Sequence, residues 1–289
     1  KIMYIEISSH NNILKYIMIA NKYLPMSKIG NGNFGTIYSG KYVKTDEPVA
    51  IKIEQTNSEL LTLKHETTIL NYLYSKGSLY TPKVYWYGTH MKCYILIIPL
   101  YEYTLEDMIQ NNSMSKIQSI QIASKMIDIL DTIHNLNVIH RDIKTQNFML
   151  KGNDIFLIDF GLSTVSLDDD DEPKTQSSYI LGTPKFVSIN IHNGETPSRR
   201  DDCISVMYIL LYMLLDKHLQ WSNVQDSPNV SPDIPENHIL YHKNVVRKSI
   251  KIKHLESITT DSFFGIILKY LYQLSIMDRP NYQWMRSIM

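Results

Sequence analysis

Cysteine is scarce in this 289-residue chain: there are two, Cys93 and Cys203, set far apart in segments that read as a buried strand and a buried helix. Folds that depend on disulfides use more of them, so a reducing compartment is the simpler setting. A surplus of charge is missing too. Lys plus Arg and Asp plus Glu stand at 29 each, and without a basic excess neither nucleic acid nor an anionic membrane is an expected partner. Any anion must be held locally. The longest apolar run, Ile204 to Leu215, is interrupted by Ser205. It falls short of the roughly 20 residues that span a bilayer and reads as a core helix. The opening stretch, Lys1 to Ala20, mixes Ile, Met and Tyr with Glu6, Asn11, Asn12 and Lys15, unlike the uniform apolar core of a signal peptide. The expected setting is therefore intracellular, the cytoplasm with the nucleus left open. Alanine is reduced to Ala20, Ala50 and Ala123 beside 20 tyrosines, a compositional bias rather than a functional sign.

What is present is an ordinary globular balance, 44% hydrophobic and 20% charged, which argues against a disordered, collagen-like or coiled-coil chain. The length suits one large domain or two small lobes, and no internal repeat is evident. From Tyr23 to about Leu100 short apolar stretches such as Val49 to Ile53 and Tyr94 to Ile98 alternate with turn residues, a strand pattern interrupted by one helix from about Ser58 to Tyr74. After Thr104 the period changes. Ile117, Ile120, Ala123, Ile127, Leu130 and Ile133 recur at helical spacing, and Ser115 with Gln118 forms a capping-box signature ahead of them. Three short strands follow, Val138 to Ile139, Phe148 to Leu150 and Ile155 to Ile158, and the remainder reads as helical with long loops, one of them the proline-bearing segment 225–237. The fold class is α+β, with a β-rich first lobe, a mainly helical second lobe, and a ligand cleft expected between lobes.

Three groups of residues could carry chemistry. Ile29 precedes Gly30-Asn31-Gly32-Asn33-Phe34-Gly35-Thr36-Ile37, a G-x-G-x-x-G run whose glycines would let backbone approach a phosphate chain. Such a run can also be a plain hairpin, but Thr36 to Tyr38 continues as a strand, which excludes the helix that a dinucleotide-binding fold requires here. Lys52 ends the strand Val49-Ala50-Ile51-Lys52. By itself it would read as a solvated edge residue, yet Leu63, Glu66, Leu70 and Leu73 in the next helix share one face, and a carboxylate within an apolar stripe needs a partner. Lys52 is the natural one, and the pair would aim an ammonium at phosphates. The third group is His140-Arg141-Asp142-Ile143-Lys144-Thr145-Gln146-Asn147, followed by Asp159-Phe160-Gly161 after the next strands. Asp142 could accept a proton from an attacking hydroxyl, Lys144 could neutralise a transferred phosphoryl, and Asn147 with Asp159 could bind magnesium through oxygen. A chance polar loop would not place both motifs in their strand context at once.

With these motifs the chain resembles the protein kinase superfamily from about Tyr23 onward. Gly182-Thr183, Ser188-Ile189-Asn190, His192, Gly194 and Ser198-Arg199-Arg200-Asp201-Asp202 resemble the casein kinase I group, in which Ser-Ile-Asn stands where most kinases carry Ala-Pro-Glu. The resemblance implies an extension at 1–22 and a kinase domain at 23–289, with N-lobe 23–98, hinge 99–104 and C-lobe 105–289. It implies ATP and Mg2+ as cofactors and protein substrates with Ser or Thr acceptors, the lysine two places after Asp142 being the Ser/Thr sign. Lys52, paired with Glu66, would hold the α- and β-phosphates under the glycine loop, Ile29 to Ile37. Ala50 would line the adenine pocket, with Ile98 as gatekeeper and Pro99 to Tyr101 as the hinge, Pro99 replacing the usual acidic residue. Asp202 would brace the catalytic loop, Thr183 would contact Asp142 and Lys144, and His140 and Phe160 would only pack. Lys185, with Lys217 nearby, implies a preference for acidic or primed substrates. Of a second basic cluster Arg141 is kept, while Thr164 and Ser178 replace basic residues. The implied molecule is a monomer. A catalytically weak scaffold is the competing reading, and a small-molecule phosphotransferase a third.

The run Asp168-Asp169-Asp170-Asp171-Glu172 follows the Asp159-Phe160-Gly161 motif. It reads either as a solvated loop or as fixed negative charge that pairs with Arg141 in place of an activating phosphate. Neighbouring Ser163, Thr164 and Ser166 are alternative phosphorylation sites. If the acids order the loop, exchanging all five for Asn and Ser should lower phosphoryl transfer, and unchanged activity removes that idea.

Overall fold

The computed structural model describes residues 18–32, 35–56, 62–111, 114–165, 180–222, 224, 236–259 and 261–289. They form two compact units: one reaches Glu102 and takes in Leu150–Gly161, and the other comprises Tyr103–Met149 and the described residues from Leu162 onward.

The first unit is built on a five-stranded antiparallel sheet. In chain order its strands are β1 (Tyr23–Gly32), β2 (Gly35–Tyr42), β3 (Pro48–Gln55), β4 (Trp86–His90) and β5 (Cys93–Pro99), arranged in space as β1-β2-β3-β5-β4. Side chains alternate across a pleated strand. On β3, Val49 and Ile51 therefore join Ile19, Tyr23, Cys93, Ile95 and Ile97 in one apolar cluster. Ala50, Lys52 and Glu54 occupy the other face, toward helix α1 (Thr62–Ser75). Leu63, Glu66, Leu70 and Leu73 of α1 are all buried, as the helical stripe requires. The described helix begins at Thr62, and residues 58–61 of the expected helix lie outside the described chain.

The second unit is mainly helical. Strand β6 (Tyr103–Thr104) leads into α2 (Leu105–Asn111), and α3 (Lys116–Asn135) follows. Ser115 Oγ accepts from Gln118 N, and the Gln118 side chain accepts from Ser115 N, so the capping box is closed at both ends. Next, β7 (Val138–Ile139) pairs antiparallel with β10 (Thr164–Val165). Between them β8 (Phe148–Lys151) and β9 (Asp154–Leu157) form a hairpin, and the chain passes into the first unit within β8. The segment Leu150–Gly161, placed with the helical lobe by the sequence, groups with the sheet unit. The Leu157 amide donates to Tyr80 O, and the Tyr101 and Phe156 rings meet at 4.7 Å.

After the short α4 (Ile189–His192) comes α5 (Arg199–Leu214), the helix expected from the longest apolar run, whose residues from Arg199 to Met213 are all buried. A helix apolar around most of its circumference belongs in a core. It packs against α3 and α7 (Phe263–Gln273), while α6 (Glu236–Ser257) and α8 (Tyr282–Ile288) lie against α4 and α3 respectively. Cys93 and Cys203 are free and buried, and no helix among the described residues is long and apolar enough to cross a membrane. Ser115→Ala removes the α3 cap and is expected to lower stability by about 1 kcal/mol, measurable as a shifted denaturant midpoint with unchanged slope.

Candidate active site

In the first unit the predicted lysine and glutamate meet. Lys52 Nζ lies 2.6 Å from Glu66 Oε1, and both side chains are almost fully buried. Asp159 Oδ1 is 3.9 Å from the same ammonium. Burial acts to lower the Lys52 pKa, but the combined pull of Glu66 and Asp159 outweighs it and holds the group above the usual lysine range. Burial lifts the Glu66 carboxyl, with Lys52 and the Phe160 amide drawing it back. Asp159 sits at φ +68, an uncommon conformation for a residue other than glycine and one associated with functional sites. Its side chain remains one-third exposed.

The same sheet gathers the expected nucleotide-lining residues. Ala50 and Ile98 are direct cross-strand partners, on the Lys52 face of β3. Pro99 ends β5 opposite Val49, and Tyr101 is buried against Phe156. At the β1–β2 turn Gly32 pairs with Gly35, Asn31 with Thr36 and Gly30 with Ile37, and Thr36 Oγ1 donates to Asn31 Oδ1 across the ladder. Ile29 is half exposed. Asn33 and Phe34 lie outside the described residues. The glycines are not equivalent. A Cβ on Gly35 would stand 2.1 Å from the Ile53 carbonyl oxygen, whereas one on Gly30 would meet nothing closer than 3.8 Å. Gly35 is thus demanded by the sheet itself, while Gly30 has no such packing requirement.

In the second unit three predicted residues converge on the carboxylate of a fourth, Asp142. Asp142 Oδ1 accepts from Thr183 Oγ1 at 2.8 Å, and Oδ2 accepts from Lys144 Nζ at 2.6 Å and from Asn147 Nδ2 at 3.3 Å. Asn147 Nδ2 also donates to the Asp142 carbonyl, so a cation would be met by the amide oxygen. The resemblance implies that Thr183 touches both Asp142 and Lys144; it donates to Asp142 Oδ1, and Lys144 lies on the opposite oxygen. Gly182 before it has φ +95, and a Cβ there would come within 2.7 Å of the Arg141 carbonyl, so only glycine lets the segment approach the loop this closely.

The loop hangs from α5. Asp202 accepts from the amides of His140 (2.8 Å) and Arg141 (3.0 Å), the brace the resemblance implied. His140 is fully buried. Arg141 donates through Nε to Leu162 O and through Nη2 to Ser163 O. The acidic run and Ser178 lie outside the described residues. Lys185 is half buried, its ammonium 3.5 Å from the centre of the Tyr212 ring. Burial lowers its pKa and Glu106 partly restores it. Lys217 donates to Gln110 O.

A family model of the protein kinase domain matches residues 23–286. The chain belongs to the protein kinase family. Its β-rich and helical units are those of the two-lobed kinase fold. Several residues of this kinase make contacts that the sequence does not suggest. Asp201, beside Asp202, accepts from Ser188 Oγ, Asn190 Nδ2, Ser198 N and Ser198 Oγ, so the Ser-Ile-Asn motif and the Ser198–Asp202 motif meet on one buried carboxylate. His134 joins Asp202 to the Tyr282 hydroxyl of α8. Lys251 of α6, with no exposed surface, places its Nζ 2.9 Å from Pro184 O, 2.6 Å from Val187 O and 3.2 Å from His192 Nε2. Trp221 Nε1 takes the intervening Lys185 carbonyl. These contacts fix the backbone that follows Thr183.

His192 cannot accept a proton easily in this setting. Burial, then Lys251, Arg247 and Lys248, push its pKa down to about 3, against about 6.5 in an unfolded chain. The unfolded state therefore binds the extra proton as pH falls through that interval, and native stability falls with it. Between pH 7 and 4.5 this group should cost about 2 kcal/mol. His192→Gln should show a smaller loss of thermal midpoint over the same range than wild type, and equal losses would exclude the assignment.

Proposed function

We propose that this kinase transfers the γ-phosphoryl group of ATP to serine or threonine hydroxyls of proteins. The observation that carries the reading is the Lys144–Asp142–Thr183 array, with a cation and a hydroxyl on opposite oxygens of one nearly buried carboxylate. Asp142 is placed to orient an acceptor hydroxyl and take its proton. Lys144, two positions on, offsets charge on the moving phosphoryl group, and Thr183 holds the carboxylate in one rotamer. Lys52, oriented by Glu66, binds the α- and β-phosphates, and Gly30 to Gly35 covers them. Ala50, Ile98, Pro99 and Tyr101 receive the adenine.

Asn147 and Asp159 are the magnesium ligands in this reading. Both offer hard oxygen donors, and magnesium commonly takes only one or two protein ligands beside phosphate and water. The donor set therefore fits, although no cluster of three or more His, Cys, Asp or Glu suited to a metal occurs among the described residues. When bound, the ion neutralises phosphate charge. Catalysis rests on positioning and charge stabilisation.

The casein kinase I assignment is supported by the convergence of Ser188, Asn190 and Ser198 on Asp201. Lys185 supports acidic substrates through its charge, although Tyr212 and Glu106 already engage it. The domain reading follows the same resemblance, with the kinase domain at 23–289, its hinge at 99–104 and an extension at 1–22. The molecule acts as a monomer inside the cell.

With labelled ATP, magnesium and casein, the wild type should label serine or threonine, and Asp142→Asn should transfer about 10²–10⁴-fold more slowly. Equal rates would overturn the role of Asp142. Transfer by neither protein, with ATP still bound, would make the chain a scaffold, and label on tyrosine would overturn the acceptor assignment.

A further inference from the structure

Glu54 is 1% exposed and lies outside the kinase motifs. A buried carboxylate is costly unless its oxygens are satisfied. Those of Glu54 are satisfied by the first turn of α1. Oε1 accepts from Thr62 N at 3.2 Å and from Thr62 Oγ1 at 3.1 Å, and Oε2 accepts from Leu63 N at 3.1 Å. These amides donate to the carboxylate of another element, which fixes α1 against it. Two amides of α1 are thus met by a side chain of the neighbouring strand.

The strand is β3, and the pleat puts Glu54 on the same face as Lys52. Two residues along a strand advance about 6.6 Å. Glu66 and Thr62, their partners, are four residues apart on α1, about 6 Å along the axis. The two separations nearly match, so α1, which packs on β5, is tied to β3 at two points, Lys52 to Glu66 and Glu54 to Thr62 and Leu63. The ion pair ties α1 to β3 at one point, and Glu54 supplies a second. With both contacts closed, a shift of one residue would turn Glu66 about 100° away from Lys52.

We propose that Glu54 is a positioning residue for ATP binding, which fixes the rotation and register of α1 so that Glu66 stays on Lys52. The proposal rests on the reading of Lys52 and Glu66 as the phosphate-holding pair. It assigns the residue no contact with nucleotide. Glu54 acts through Glu66, and the two should therefore fail to behave independently.

The test is a double-mutant cycle on the full chain with Glu54→Ala, Glu66→Ala and the double variant, reading ATP affinity with Mg2+ by calorimetry, KM for ATP and kcat on casein, and thermal midpoint. Glu54→Ala should weaken ATP binding and raise KM for ATP about tenfold, with a smaller change in kcat. In the Glu66→Ala background the same substitution should leave ATP affinity within twofold of that single variant. Glu54→Gln keeps the shape and one acceptor oxygen. It should fall between wild type and Glu54→Ala, and it supplies the comparison, with Glu66→Ala, if Glu54→Ala does not fold. An equal loss of affinity in both backgrounds, or a lowered thermal midpoint with unchanged ATP affinity, would overturn the proposal. A wild type that binds ATP but transfers nothing overturns the catalytic reading alone, because the affinity cycle still decides the role of Glu54. A folded wild type without ATP affinity overturns both.

Discussion

Two neighbouring carboxylates at the start of α5 determine where the functional loops of the second unit can lie. Asp202 binds the amides of His140 and Arg141, and Asp201 binds Ser188, Asn190 and Ser198. Both are nearly inaccessible to solvent, where an unpartnered charge would be expensive. Each loop therefore has one low-energy position, set by the helix that carries the acids. That helix is itself buried from Arg199 to Met213, so its packing is passed on to Asp142 through a short chain of hydrogen bonds.

A similar economy operates in the first unit. The alternation of β3 sends Val49 and Ile51 into the apolar cluster and Ala50, Lys52 and Glu54 toward α1. A strand that slipped by one residue would exchange these sets, burying Lys52 in the apolar cluster and turning Ile51 toward α1. The register that builds the core is thus the register that presents the ammonium. Sheet stability and lysine placement cannot be separated.

The sequence was most legible where a signal is local and periodic. The stripe of Leu63, Glu66, Leu70 and Leu73 exposed the need for a cationic partner, and Ser115 with Gln118 marked the start of α3. The role of Asp142 was read from its own loop, and the resemblance added Asp202, which accepts from the amides of His140 and Arg141. Contacts between distant residues were not legible. Lys251 reaches back 67 positions to Pro184, and Tyr282 reaches 148 positions to His134. Neither leaves a periodic trace, because a single buried polar group among apolar neighbours looks like a break in a helical pattern. Glu54 was hidden for another reason. It accepts from Thr62 and Leu63, eight and nine positions on in a different element, a spacing that neither a strand nor a helix period marks. Gly35 has a further reason that the sequence does not show: a Cβ there would collide with the Ile53 carbonyl.

Cys93 lies in the sheet unit and Cys203 in the helical unit, both unpaired and buried. Burial holds each thiol above its ordinary pKa, Cys203 most strongly. Alkylating reagents act on the accessible thiolate. Both thiols are therefore shielded in the folded kinase, and opening of either unit would expose its own. Without any engineered label, the protein carries one covalent reporter of unfolding in each lobe.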